Sequence, residues 1–281
     1  LNSRSRPRIA GVIPVRYGST RFGGKALAKI AGKTLIRHVY ERALTSRSMG
    51  ELVIATDDSR IAGEAESFGA RVVMTSPEHK CGTERAAEAA SRLDADIIVD
   101  IQGDEIVSDG RMIDECVEPL LRKESAEVST LASEIVAEAD VADPNVVKVV
   151  TDLEGNALFF SRSPIPNTSC ASPNAGRREA PANGRVSRGP VVRFLRHVGI
   201  YAYRRSFLLE FVRLPQTPLE LAESLEQLRI LEHGRSISVV LTRHFSVGVD
   251  VPSDLARAEL FLASLDGPGA AGRPGGALAA G

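Results

Sequence analysis

The sequence predicts an α/β fold built on a doubly wound, mostly parallel central sheet, and two observations carry the prediction. Through the first half, short β-branched runs alternate with stretches of helical period, the pattern of consecutive βαβ units. The composition is that of an ordinary globular chain: of 281 residues, 43% are hydrophobic and 25% charged, enough to bury a sizeable core without disulfides or structural metals. After residue 125 the texture changes, and a smaller portion of mixed strands and helices is expected.

The elements follow in order. Strands are predicted at residues 9–15, 52–56, 72–75 and 97–102, each a short apolar run bounded by turn residues. Between them, helices are predicted at 34–47, 60–68 and 83–93, and each crossover is about as long as a βαβ unit needs. The first helix places Leu35, Val39, Ala43 and Leu44 on one face. Another helix is predicted at 112–121. The second half gives strands at 128–132, 146–151, 158–161 and 198–203, with Asp152-Leu153-Glu154-Gly155-Asn156 supplying turn chemistry between two of them. Helices at 219–233 and 253–265 bracket a last strand at 237–241. Residues 167–190 are rich in Ser, Pro, Asn, Ala, Gly and Arg without an apolar period, so a mobile insert is expected there. Residues 1–8 read as a flexible start and the Gly/Ala/Pro-rich 267–281 as a disordered tail, leaving one domain over 9–266.

Charge and cysteine usage exclude several function classes. Lys plus Arg number 35 against 36 Asp plus Glu, a net charge of −1, which argues against a nucleic-acid or membrane-surface binder. No window approaches the roughly 18 apolar residues of a membrane span. The basic start Arg4-Ser5-Arg6-Pro7-Arg8 runs straight into a strand-like stretch, so a cytoplasmic protein without a signal peptide is expected. Cys81, Cys116 and Cys170 are an odd number at wide spacing with no Cys-x-x-Cys, indicating neither a disulfide framework nor a zinc site.

Two regions carry candidate chemistry. The loop after the first strand, Arg16 to Lys25, holds three glycines, Ser19, Thr20, two arginines and a lysine, and can present backbone N–H groups and fixed cations to phosphates. It is not a Walker A loop, because Ala26 follows the lysine, nor the Gly-x-Gly-x-x-Gly fingerprint that a nicotinamide oxidoreductase would need. Acidic residues stand beyond strand ends at Asp104-Glu105 and again at Asp250, where hard oxygen ligands suit Mg²⁺ shared with substrate phosphates. His38, His79, His233 and His244 have no ligand-like spacing.

Ordered blocks across residues 9–260 then carry a resemblance. They are Ile13-Pro14 through Lys25, Ala55-Thr56-Asp57, Gly82-Thr83-Glu84-Arg85, Gln102-Gly103-Asp104-Glu105, Phe160 through Pro166, Arg196 through Tyr203, Glu223 through Arg229, and Gly248-Val249-Asp250. Together they resemble the 3-deoxy-manno-octulosonate (Kdo) cytidylyltransferase family, whose members attach CMP to an acidic sugar. The resemblance implies a nucleotide-diphospho-sugar transferase-like fold, with residues 9–125 binding CTP and 126–266 binding the acceptor and forming a homodimer. It implies that Arg16, Gly18, Ser19 and Lys25 hold the CTP phosphates and that Thr83, Arg85 and Gln102 complete the CTP site. Asp104 and Asp250 would carry Mg²⁺ and, with Lys25, form the catalytic set. Arg162, His197, Tyr201, Glu226 and Gln227 would bind the acceptor; an Arg fork suits a carboxylate better than a lone Lys would.

The chain also departs from the family pattern. Gly23, Ala26 and Ile106 stand where proline is expected, and the first two loosen the loop by about 0.4–1 kcal/mol each. Cys81 stands where serine is expected, and residues 167–190 do not resemble the family loop. Two alternatives to the sugar acceptor stay open at this point: CMP transfer to a phosphonate, and a non-catalytic nucleotide-binding protein.

Overall fold

The computed structural model describes residues 6–18, 22–168 and 193–266. Ser19, most of the 167–190 insert and the 267–281 tail lie outside the described residues.

The chain opens with β1 (Ile9–Val15), followed by a 3₁₀ turn at Lys25–Leu27 and the small hairpin β2 (Lys29–Ile30) and β3 (Lys33–Thr34). Three helix–strand units follow: α1 (Leu35–Ala43) with β4 (Glu51–Thr56), α2 (Ser59–Ser67) with β5 (Arg71–Met74), and α3 (Gly82–Ser91) with β6 (Ile97–Ile101). Then come β7 (Glu105–Val107), α4 (Arg111–Arg122), β8 (Val128–Glu134), α5 (Glu138–Ala142), β9 (Lys148–Thr151) and β10 (Ala157–Ser161). The last stretch holds β11 (Leu195–Arg204), α6 (Arg205–Phe211), α7 (Pro218–Glu223), α8 (Gln227–Glu232), β12 (Ile237–Leu241), β13 (Ser246–Gly248) and α9 (Asp254–Asp266).

Strands β6, β1, β4 and β5 lie side by side in parallel, as right-handed crossovers through α1, α2 and α3 require. Strands β1, β4 and β6 are buried on both faces, whereas β5, at the sheet edge, exposes Arg71 and Met74. In β4, Leu52 and Ile54 enter one core and Val53 and Ala55 the other, so the run is continuously apolar rather than alternating. One core packs Ile36, Val39, Ile113 and Val117 of α1 and α4 against the sheet; the other packs Ala86, Ala90 and Phe207 of α3 and α6. Each fully buried Ile or Phe there contributes about 1.5–3 kcal/mol of transfer free energy.

Strand β11 joins the two halves. Ile200–Arg204 run antiparallel to β6, Leu195 and Arg196 pair with β9 along the same edge, and β8 lines the opposite edge with a register shift between Val198 and Tyr201. The hairpin expected between β9 and β10 forms: Asp152 accepts from the N–H groups of Glu154 and Asn156, and Gly155 takes φ +83°.

Several expectations change. The helix at 34–47 ends at Ala43, and Leu44 caps it with its side chain exposed rather than on the buried face. The single helix at 219–233 is two, because Ser224 adopts a left-handed conformation (φ +52°) between α7 and α8. No helix among the described residues is long and apolar enough to cross a membrane.

Candidate active site

The first loop is organised around Gly24. Its φ of +71° favours glycine, and a Cβ there would crowd the Tyr17 ring at 3.1 Å, so glycine lets the chain double back without strain while its N–H donates to Tyr17 O at 3.0 Å. The turn delivers Lys25 to the carboxyl end of the sheet. Its ammonium donates to Asp104 Oδ2 and, at 3.3 Å, to Val249 O, and it lies 3.5 Å from Asp250 Oδ1. Arg16 and Gly18 are exposed on the same loop.

Asp104 and Asp250, far apart in sequence, meet because β7 and β13 pair. Gly248 lies beside Glu105, and Val249 N donates to Asp104 O at 2.9 Å. Gly103 sits at the crossing of β6 and β1, where a Cβ would stand 2.7 Å from Val15 Cγ2; glycine alone lets Asp104 follow the strand end this closely. Two carboxylates and a lysine thus converge beyond the strand ends, where open α/β sheets bind ligands.

Gln102, two residues before Asp104, and Gly199, packed near Glu105, line a cavity of about 320 Å³ next to this cluster. His197 and Tyr201 of β11 form one wall, Thr83 and Gln102 another, and Arg162, Glu226 and Gln227 a third. Glu226 accepts from Thr83 Oγ1 at 2.7 Å and Cys81 Sγ at 3.3 Å, with Arg229 Nη2 3.6 Å away. Burial pushes its carboxyl up, and the bonds from Thr83 and Cys81 and the Arg229 charge offset that only in part. Burial, with Glu226 adding to it, pushes the Cys81 thiol up to about 12. His197 is held by Thr130 (Nε2 to Oγ1, 3.0 Å) and stacked edge-on against Phe160. Burial, then Arg196, lowers its pKa to about 3, so it presents a neutral imidazole to the cavity.

Arg162 is braced from behind. Its Nε, Nη1 and Nη2 reach the carbonyls of Glu223, Pro144 and Ser224 at 2.9, 3.0 and 3.5 Å. Its N–H donates to Glu223 Oε2, and its carbonyl accepts from the buried Lys148 ammonium at 2.6 Å. With five N–H donors on a guanidinium, some remain to face a ligand.

The structure therefore brings the acceptor set Arg162, His197, Tyr201, Glu226 and Gln227 together, and Lys25, Asp104 and Asp250 together. It places Thr83 and Gln102, assigned by resemblance to the CTP site, on the cavity shared with the acceptor set. Arg85 is buried away from that cavity, meeting Asp57 at 3.2 Å and donating to Thr75. Asp100, Lys148 and Glu223 carry no role in the sequence pattern; Asp100 falls inside the strand expected at 97–102.

A cytidylyltransferase family profile matches residues 10–237. The 3-deoxy-manno-octulosonate cytidylyltransferases of Geobacter metallireducens and Geobacter sulfurreducens are each 52% identical, over 88% and 89% of this chain and 95% and 97% of theirs. The chain belongs to the 3-deoxy-manno-octulosonate cytidylyltransferase family. A solved CMP:2-keto-3-deoxy-manno-octonic acid synthetase complexed with CTP superposes with a TM-score of 0.81 at 38% identity, covering 92% of this chain and 99% of that one.

Two carboxylates that bracket one ammonium form a donor set able to take a hard divalent cation together with phosphate oxygens. Among the described residues no group of three or more His, Cys, Asp or Glu side chains forms a protein-only metal site. Such a cation would need oxygens from a bound nucleotide, a sharing typical of Mg²⁺.

Proposed function

We propose that this protein transfers CMP from CTP to 3-deoxy-manno-octulosonate, releasing pyrophosphate. The observation that carries the proposal is the adjacency of the Lys25–Asp104–Asp250 cluster to a cavity walled by Arg162, His197, Tyr201, Glu226 and Gln227. The relatives named for this reaction support the sugar acid over the phosphonate.

In the reaction the anomeric hydroxyl oxygen of the sugar acid attacks the α-phosphorus of CTP in line. The new P–O bond forms as the bond to the β-phosphate oxygen breaks, the hydroxyl proton is released, and pyrophosphate leaves. Arg162 orients the sugar carboxylate with its remaining N–H donors, and Glu226 and Gln227 accept and donate to sugar hydroxyls. Lys25, freed from its carboxylate partners, and Arg16 with the Gly18 backbone neutralise charge growing on the leaving pyrophosphate. Catalysis is then mainly positioning and electrostatics, as in other phosphoryl-type transfers. Asp104 and Asp250 would hold Mg²⁺, which when bound supplies positive charge to the phosphate oxygens and eases loss of the attacking hydroxyl's proton.

A homodimer about a two-fold axis is part of the same reading, supported by Leu153 and Leu158 exposed on the β9–β10 hairpin. Light scattering tests it, and a monomer overturns it.

The activity test is pyrophosphate release with CTP and Mg²⁺ against the sugar acid, sialic acid and small phosphonates, with product mass read by mass spectrometry. A CMP-sugar product from 3-deoxy-manno-octulosonate is expected; product from a phosphonate alone overturns the acceptor, and CTP binding without any product overturns the enzyme reading.

A further inference from the structure

Beneath the acceptor cavity lies a carboxylate that no step above uses. Asp100, on β6, is fully buried, and its side chain lies on the cavity face of the sheet, directly opposite Tyr201 of β11 and beside Val12 of β1. Its Oδ1 accepts one long bond from Gln102 Nε2 at 3.4 Å, and its Oδ2 has no hydrogen-bond partner. The Tyr201 hydroxyl is likewise buried and unpartnered; the single Thr130 hydroxyl proton has Ile200 O at 2.8 Å as its nearer carbonyl acceptor and Val198 O at 3.2 Å, with His197 Nε2 3.0 Å from the same oxygen.

The groups that face Asp100 decide its charge. From the start of α8 comes Glu226, an acid, with the Cys81 thiol donating to it, and from β11 come the Tyr201 and Tyr203 phenols; the Cys116 thiol of α4 belongs to the core on the other face of the sheet. Packed from β1, α3 and α6 are Val12, Ala86 and Phe207, which are apolar. The nearby cations are committed elsewhere: Arg85 to Asp57, Arg229 to Glu220, and Arg162 to three carbonyls. Glu226 has donors in Thr83 and Cys81, whereas Asp100 has one weak donor and no cation. Two acids in one dry patch cannot both ionise cheaply, so the pair holds a proton, and it rests on the acid with fewer donors.

Building on the proposed sugar-acid acceptor, we propose that Asp100 is a specificity-determining positioning residue, a neutral acid behind Tyr201 and Glu226 whose ionisation expels the anionic acceptor while leaving CTP binding intact. A second buried negative charge behind Glu226 would repel the acceptor's carboxylate and pull the Glu226 and Tyr201 contacts out of register. The nucleotide phosphates bind across the strand end at Lys25 and are spared. The direction of the shift agrees: burial, with Glu226 adding to it, raises Asp100 to about 8. His197, Cys81 and Tyr201 do not compete in that range, being moved far below it or far above it by burial.

The test is the acceptor KM and CTP KM as functions of pH for the wild type and Asp100→Asn. For a single linked proton, the wild-type acceptor KM is expected to rise about tenfold between about pH 7 and pH 9, with CTP KM unchanged. Asp100→Asn, neutral at every pH, should hold a flat acceptor KM. A wild-type profile without the rise, or the same rise in Asp100→Asn, overturns the proposal. If the variant fails to fold, infrared titration of the wild type with carboxyl-labelled aspartate decides instead. A protonated carboxyl band present at neutral pH and lost in the alkaline range supports the proposal, and its absence at neutral pH overturns it. If no CMP-sugar forms at any pH, the acceptor reading fails separately, and the infrared titration still decides the state of Asp100.

Discussion

Thr83 Oγ1 donates to Glu226 Oε2 at 2.7 Å, so the first turn of α3 holds a carboxylate that lines the cavity. Replacing Thr83 by Val keeps the shape and removes the donor, leaving a half-buried carboxylate oxygen short of a bond at a cost of about 1–3 kcal/mol. If that cost falls on the occupied acceptor site, acceptor KM rises about tenfold while CTP KM is unchanged. Steady-state kinetics with each substrate varied separately checks the split. A rise confined to CTP KM would return Thr83 to the nucleotide.

Lys25, Asp104 and Asp250 act on the reacting phosphates in the proposed reaction, and Asp104 is one-third exposed, so it contributes little to the core. Asp104→Ala is expected to lower turnover by about 10²–10³-fold, the scale of losing one preorganised electrostatic group, with a nearly unchanged thermal midpoint. Pyrophosphate release at saturating Mg²⁺, beside a melting curve, measures both. Near-normal turnover would remove Asp104 from the catalytic set.

What the sequence made legible follows from range. Strands β1 and β12 were readable because each is a short run rich in β-branched residues closed by turn residues, a local signal. Strands β7 and β13 are three residues each, too short to show a period, and each pairs with a segment remote in sequence. For that reason local pattern reads Asp104 and Asp250 only as acids beyond strand ends, and it is the family resemblance that groups them with Lys25. The break between α7 and α8 was hidden because Leu219 to Leu231 keep a helical period through Ser224, and only the left-handed backbone there shows that Glu226 turns to the cavity. Asp100 falls inside the strand expected at 97–102 and carries no signal of its own. Its burial depends on β11 docking antiparallel on β6, which a local pattern does not announce.

Behind Glu226, Arg229 and Glu220 form a buried two-pronged pair, Nε to Oε2 at 2.7 Å and Nη2 to Oε1 at 2.5 Å. Burial works against ionising Glu220, but the Arg229 bonds, the Thr217 N–H and the Arg229 charge win, holding the carboxyl below its usual 4.5. The native pKa is thus below the unfolded one, so the pair's stabilisation is present above the usual carboxylate value and is lost as pH falls through the native value. Arg229→Met strands the carboxylate and is expected to cost about 3–5 kcal/mol near neutral pH. It should also flatten the acid side of the stability profile. Urea midpoints collected from neutral pH downward compare the two slopes, and parallel acid limbs would show that the pair is not their source.

Lys148 has no exposed surface, and its ammonium donates to the carbonyls of Asp143, Val146 and Arg162 at 2.9, 2.7 and 2.6 Å. Burial lowers its pKa, against the pull of Asp143, yet three acceptors favour the charged form that donates to them. The side chain is a strut between the loop before β9 and the residue whose guanidinium faces the cavity. Lys148→Met matches its length but leaves those carbonyls unpaired, and a loss of about 1–3 kcal/mol is expected in urea unfolding. Because one of the freed carbonyls belongs to Arg162, acceptor KM should rise in the same variant while CTP KM does not. Lost stability with an unchanged acceptor KM would limit Lys148 to the fold and leave Glu223 alone to set the Arg162 backbone.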